Sequence, residues 1–176
     1  MALETDIPDR FWWRGATAEP DWDAVYKEQL PRVYNFFRYR IGNDAVAEDL
    51  TSLTFEKAWR ARRRYRQDLA AFATWLLSIA RNVAVDHWRS RREHAPLVDA
   101  ADVVALGTPE DDQARESDRK RLAALIARLP EREREVLSLK YGAGTTNRAI
   151  ARLTGLSESN IGTIIHRAVQ TLRDEW

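Results

Sequence analysis

Apolar residues along this chain recur at three- and four-residue spacing rather than in alternation, which predicts helices and no sheet. The first helix begins at Asp21, with Trp22, Val25, Val33, Phe37 and Ile41 as core positions, and Gly42-Asn43 ends it. Pro31 is expected to bend or divide it, because an interior proline removes a backbone hydrogen bond. Asp44 is placed as the cap of a second helix reaching about Arg62 and carrying Val46, Leu50, Leu53 and Trp59. A third spans about Ala70 to Arg92. At about 100° per residue, Phe72, Trp75, Leu76, Ile79 and Val83 share one stripe, with Asn82, Val85 and Arg89 on its flank. Trp88 faces away from that stripe, which leaves two readings open: contact with another molecule, or packing on a neighbouring loop or tail.

Residues 95–118 hold two prolines, a glycine and no helical period, and read as a flexible acidic linker. Beyond it, Leu122, Leu125, Ile126 and Leu129 predict a helix that stops at Pro130. Glu131 to Tyr141 predicts a short helix with acidic residues in its first turn, burying Val136, Leu137 and Leu139. The fold class is therefore all-α, two small helical domains joined by a linker. The expected boundaries are a tail at 1–20, a first domain at 21–94, a linker at 95–114 and a second domain at 115–176.

The segment NRAIARLTGLSESNIGTIIH (147–166) is the most specific in the chain. A helix-turn-helix needs a small residue where its helices touch, a turn glycine, and apolar positions that lock the pair. Ala151, then Gly155, then Ile150, Leu156, Ile161 and Ile164 meet those needs, and Ser157 is placed to cap the second helix. Ser159, Asn160, Thr163, His166 and Arg167 then point outward, where a recognition helix meets the major groove.

Composition sharpens this picture. The net charge is only +1, but by segment it runs −4 over residues 1–59, +6 over 60–94, −6 over 95–118 and +5 over 119–176. Two basic regions divided by an acidic one suit contact with nucleic acid better than the sum does. The chain has no cysteine, which excludes disulfides, thiolate metal sites and a cysteine nucleophile. His87, His94 and His166 are scattered, with no phosphate-cradling loop or nucleophile–base pair, so no catalysis and no cofactor are expected. No apolar run approaches the roughly 20 residues of a membrane helix. The acidic start, MALETDIPDR, lacks a signal peptide's apolar centre, so a cytoplasmic protein is expected.

Taken together, these segments resemble the extracytoplasmic-function sigma factors, the small two-domain initiation factors of bacterial RNA polymerase. AEDLTSLTFEKAWR (47–60) resembles the family's polymerase-docking helix, and WLLSIARNVAVDHWRSRR (75–92) the helix that addresses the −10 promoter element. ARLPEREREVLSLKY (127–141), the helix-turn-helix and HRAVQTLR (166–173) resemble the domain that reads the −35 element. The resemblance implies docking on core polymerase through Asp49, Leu50, Phe55 and Trp59. It implies −10 contacts, with melted single-stranded DNA, from Arg63, Arg64, Arg66, Asn82, Asp86 and Arg89, and −35 duplex contacts from the outward set above. It also implies an anti-sigma partner. The chain departs from the family's usual Gln-Glu at Ser52-Leu53, and from its usual cations at Gly162 and Ile164. A stand-alone helix-turn-helix repressor or activator is the rival reading. The aromatic tail Phe11-Trp12-Trp13 has three readings: packing on the first domain, touching a partner, or staying mobile.

Overall fold

The computed structural model describes residues 21–66, 70–94 and 111–176. The tail with Phe11-Trp12-Trp13, residues 67–69 and most of the expected linker lie outside them. The described residues form seven α-helices, with one 3-10 turn and one π turn between them.

Helix α1 runs Trp22–Ile41 and starts where Asp21 accepts hydrogen bonds from the backbone of Asp23 and Ala24 at 3.1 and 3.2 Å. It continues through Pro31 rather than dividing there. Pro31 and Lys27, whose carbonyl the proline leaves unbonded, both lie on the exposed side, where water replaces the lost partner. Gly42 closes α1 in the left-handed conformation at φ 76°. Asn43 then turns extended and its side chain accepts from Val46 N at 3.0 Å. Asn43, not Asp44, is thus the cap of α2 (Asp44–Ala61), and Asp44 pairs with Arg38 at 3.2 Å.

Helix α2 buries Ala47, Leu50, Thr51, Thr54, Phe55 and Ala58. That stripe leaves Leu53 and Trp59 more than about 100° from its centre. They are 37% and 48% exposed, as a surface role for Trp59 requires. Arg62–Arg64 form the 3-10 turn, and α3 (Phe72–His94) buries Leu76, Leu77, Ala80, Val83 and Ala84. Half-buried Trp75 joins Tyr65 and Phe72 in an aromatic cluster, with ring centres 5.1 to 5.3 Å apart, and is a packing residue.

The second half begins with α4 (Asp111–Arg128), inside the stretch expected to be linker. Helix α5 (Glu131–Leu137) runs on into the π turn Ser138–Gly142, where Ala143 N bonds Ser138 O at 2.9 Å. Then come α6 (Asn147–Thr154) and α7 (Glu158–Glu175). The two halves share one core: Val136, Leu139, Ala143, Ile150, Ile161 and Ile164 join the same buried cluster as Phe36, Leu76 and Val83. A second cluster, Leu129, Leu137 and Ala168, ties α5 to α7.

Two outcomes follow from this packing. Gly162 sits inside α7 with nothing within 4 Å of where a Cβ would be. Gly162→Ala should therefore stabilise the chain by about 1 kcal/mol, raising the thermal midpoint by about 2–4 °C in calorimetry. His87 is half-buried, and burial followed by the nearby Arg91 charge holds its pKa below the ordinary value. Because the unfolded chain then binds a proton that the folded chain resists, stability should fall as pH drops below about 6.5. His87→Gln should reduce that slope in denaturant unfolding followed across pH 5 to 7.

Candidate nucleic-acid interface

The helix-turn-helix forms from local signals that agree with one another. Thr146 caps α6 by accepting from Ala149 N at 3.2 Å, and Gly155 ends it at φ 73°. Ser157 caps α7 by accepting from Asn160 N at 3.2 Å, and Arg148 spans the turn to Glu158 at 3.2 Å. Ile150 and Ile161 are fully buried between the helices, with Ile164 beside them. Ile164 therefore belongs to the core.

That core fixes the rotation of α7. Ser159, Asn160, Thr163, His166 and Arg167 all lie exposed on its outer side, brought together as expected. The Thr163 hydroxyl donates to Ser159 O at 3.1 Å, and Arg167 stands 4.0 Å from Glu133. Helix α6 adds two exposed cations that the sequence reading missed, Arg148 and Arg152. In a helix-turn-helix the first helix crosses the phosphate backbone, and cations there hold the recognition helix in register. Their signal was available: both are arginines outside the apolar set of 147–166.

The basic stretch of the first half divides in two. Arg63, Arg64 and Arg66 are exposed on and just after the 3-10 turn. Arg62 orders that turn by donating to Trp59 O at 2.9 Å, with its guanidinium 4.1 Å from the indole centre. Asn82, Asp86 and Arg89 are exposed on α3, spaced to share one face. Asp86 is held by Lys57 at 3.4 Å.

Trp88 packs within the chain, but on helix α5 rather than on a loop or tail. Its ring lies 5.5 Å from the Arg134 guanidinium of α5 and 5.8 Å from Arg91. Burial lowers the Arg134 pKa from its ordinary value, partly restored by Glu131.

Among the residues expected to dock on polymerase, Leu50 and Phe55 are 7% and 8% exposed and serve the core instead. They fall on the inner stripe of α2. Asp49 and Trp59 are exposed, and Leu53 and Tyr26 join them on the surface. Tyr26 packs edge-on against Phe55 at 4.7 Å, and Trp22 against Trp59 at 5.2 Å. Rigid aromatic side chains of this kind anchor protein interfaces.

Among the described residues no group of three or more His, Asp or Glu is arranged to hold a metal ion. No described helix is long and apolar enough to cross a membrane.

Comparison with known proteins agrees with this geometry. The family model Sigma-70 region 2 matches residues 25–94, and Sigma-70, region 4 matches residues 119–172. The chain is 33% identical to the ECF RNA polymerase sigma factor BldN of Streptomyces coelicolor, covering 90% of this chain but 62% of that protein's length. It is 31% identical to the ECF RNA polymerase sigma factor SigF of Caulobacter vibrioides, covering 86% of this chain and 85% of that protein. Its fold matches the sigma factor RpoE of Bartonella quintana, solved with the anti-sigma factor NepR, at a TM-score of 0.68 and 21% identity, covering 88% of this chain and 95% of that one. With both sigma regions present in order and a relative of this similarity matched over most of its length, the chain belongs to the extracytoplasmic-function sigma factors of bacterial RNA polymerase.

Proposed function

We propose that this chain docks on the core of bacterial RNA polymerase and directs initiation at specific promoters, reading the −35 duplex with α7 and the melted −10 region with α3 and the preceding turn. The observation that carries this reading is the pair of exposed DNA-facing sets, one on each sigma region. Arg167 and Asn160 present the donors and acceptors that read base edges in a major groove, while Arg148 and Arg152 meet phosphate. Asn82 can donate and accept at once, which suits an unpaired base edge, and the arginines of the turn suit the single-strand backbone. Tyr26, Asp49, Leu53 and Trp59 form the polymerase-facing patch. Protein and promoter chemistry alone account for the task, so the chain acts without a cofactor or catalysis of its own, in the cytoplasm with the polymerase.

An anti-sigma factor is a further partner. The cleft between α1 and α4 is its place, floored by Ile41, Leu122 and Ile126 and rimmed by Arg38, Arg119 and Lys120. That pattern suits an amphipathic helix with acidic flanks. A stand-alone repressor is not favoured, because such a protein has no use for a region 2 domain.

Run-off transcription with bacterial core polymerase on a genomic promoter library tests the reading: specific initiation is expected. Tight binding of the free chain to duplex operators, with no stimulation of core polymerase, would overturn it in favour of the repressor. Trp59→Ala should weaken assembly with core polymerase by about tenfold, measured by fluorescence anisotropy, and leave upstream duplex binding alone. Arg167→Ala should weaken upstream duplex binding and reduce its salt-dependence slope by about 1 if it neutralises one phosphate. An unchanged slope would remove Arg167 from the interface.

A further inference from the structure

Helix α7 presents a threonine whose hydroxyl is already engaged at the place where DNA would meet it. At about 100° per residue, Thr163 stands about 160° round the helix from the fully buried Ile161, so it points almost straight away from the core. It is exposed and falls in the N-terminal half of α7, the part of a recognition helix that meets base edges. Its hydroxyl donates to the backbone oxygen of Ser159 at 3.1 Å. A hydroxyl has a single proton to give, so Thr163 offers a base edge no donor while that bond stands.

Burial does not force this bond. In α2, Thr51 and Thr54 donate to Ala47 O and Leu50 O at 2.6 and 2.7 Å inside the core, where burial keeps water from serving. Thr163 makes the same bond in the open. With Oγ1 turned back on its own helix, the branch left to meet a base is the Cγ2 methyl. The neighbouring Gly162 has nothing within 4 Å of where a Cβ would be, so the helix surface is low beside that methyl. Around the pair, Ser159, Asn160, His166 and Arg167 are exposed and polar. A small apolar knob beside a dip, bordered by polar groups, fits the apolar feature that a base pair projects into the major groove: the 5-methyl of thymine.

We propose that Thr163 is a specificity-determining residue that reads a thymine methyl in the upstream duplex, so that the base pair beneath it is A·T in one orientation or the other. A threonine or serine that acts through its hydroxyl can serve any base, whereas a methyl contact favours thymine over cytosine, which lacks the group. Burying one methyl changes affinity by about fourfold. That is a small share of binding, but at a single base pair it sets which base is preferred.

The inference rests on the promoter reading of α7, and its test separates the two. Run-off on the promoter library supplies an upstream element, and each thymine on either strand is replaced singly by deoxyuridine, which keeps the pairing edge and lacks only the methyl. Binding of these duplexes by the chain with core polymerase is followed by fluorescence anisotropy. One replacement should weaken binding of the parent by about three- to fourfold. Thr163→Ser keeps the hydroxyl and removes the methyl, and should bind thymine and uracil alike at that position. Thr163→Val keeps the methyl and removes the hydroxyl, and should retain the parent's ratio. Thr171 bonds Arg167 O at 3.1 Å in the same way about two turns further along, beyond the groove-facing half, so Thr171→Ser should retain that ratio too. Equal binding of thymine and uracil by the parent at every position, or an upstream element without an A·T pair, overturns the inference. So does a Thr163→Ser chain that keeps the ratio, or a Thr163→Val chain that loses it. A chain that initiates specifically on no promoter overturns the promoter reading, and this inference with it.

Discussion

The arrangement of this molecule turns on one buried guanidinium. Arg40 sits on α1 among Phe36, Phe37 and Val33, where an apolar side chain would be expected, and burial lowers its pKa against the support of Glu135 and Glu131. A charge so placed must be met by carboxylates from elsewhere in the chain, or the core around it fails. Helix α5 supplies them. Its acidic residues suit the helix dipole, but each also has a specific partner: Glu131 and Glu135 meet Arg40, Glu135 meets Arg81, and Glu133 approaches Arg167. A seven-residue helix thus links the first half's core to α3 and α7.

Charge counted along the chain overstates the positive surface that DNA can meet. Arg81 belongs to the most basic segment, yet it is spent on Glu135 and Leu153. Arg134 covers Trp88, and Arg62 covers Trp59. The exposed cations on the 3-10 turn and α3 and just after the turn include Arg63, Arg64, Arg66, Arg89 and Arg91, and those on α6 and α7 are Arg148, Arg152, Arg167 and Arg173. Part of this set is also paired, as Arg148 is with Glu158.

What was legible in the sequence was local. Helix period, the Gly42 and Gly155 stops and the Ser157 cap each depend on a few neighbouring residues, and the outward set of α7 followed from its apolar stripe. Less legible was anything decided across the chain. Leu53 and Trp59 are apolar enough for a core, and only the packing of α2 against α1 and α3 shows them outside. Gly142 looks like a loop glycine until α1 lies against it. One long-range signal was present: Arg40 follows Val33, Phe36 and Phe37 at helical spacing, and a cation on an apolar stripe requires a distant carboxylate. The sequence names that need without naming α5 as the source.

On the proposed reading, two modest DNA contacts in one chain suit a protein that binds promoters only together with polymerase. Gly162 and Ile164 leave α7 without two cations common in the family, and counterion release from few phosphates gives little affinity. A second site adds strongly only when both can engage at once, since the tether then sets an effective concentration. Selectivity therefore does not reside in either helix separately. On the proposed reading it arises when a third surface holds the two halves at the promoter's spacing, and the exposed side chains of Tyr26, Leu53 and Trp59 offer that surface a place to dock.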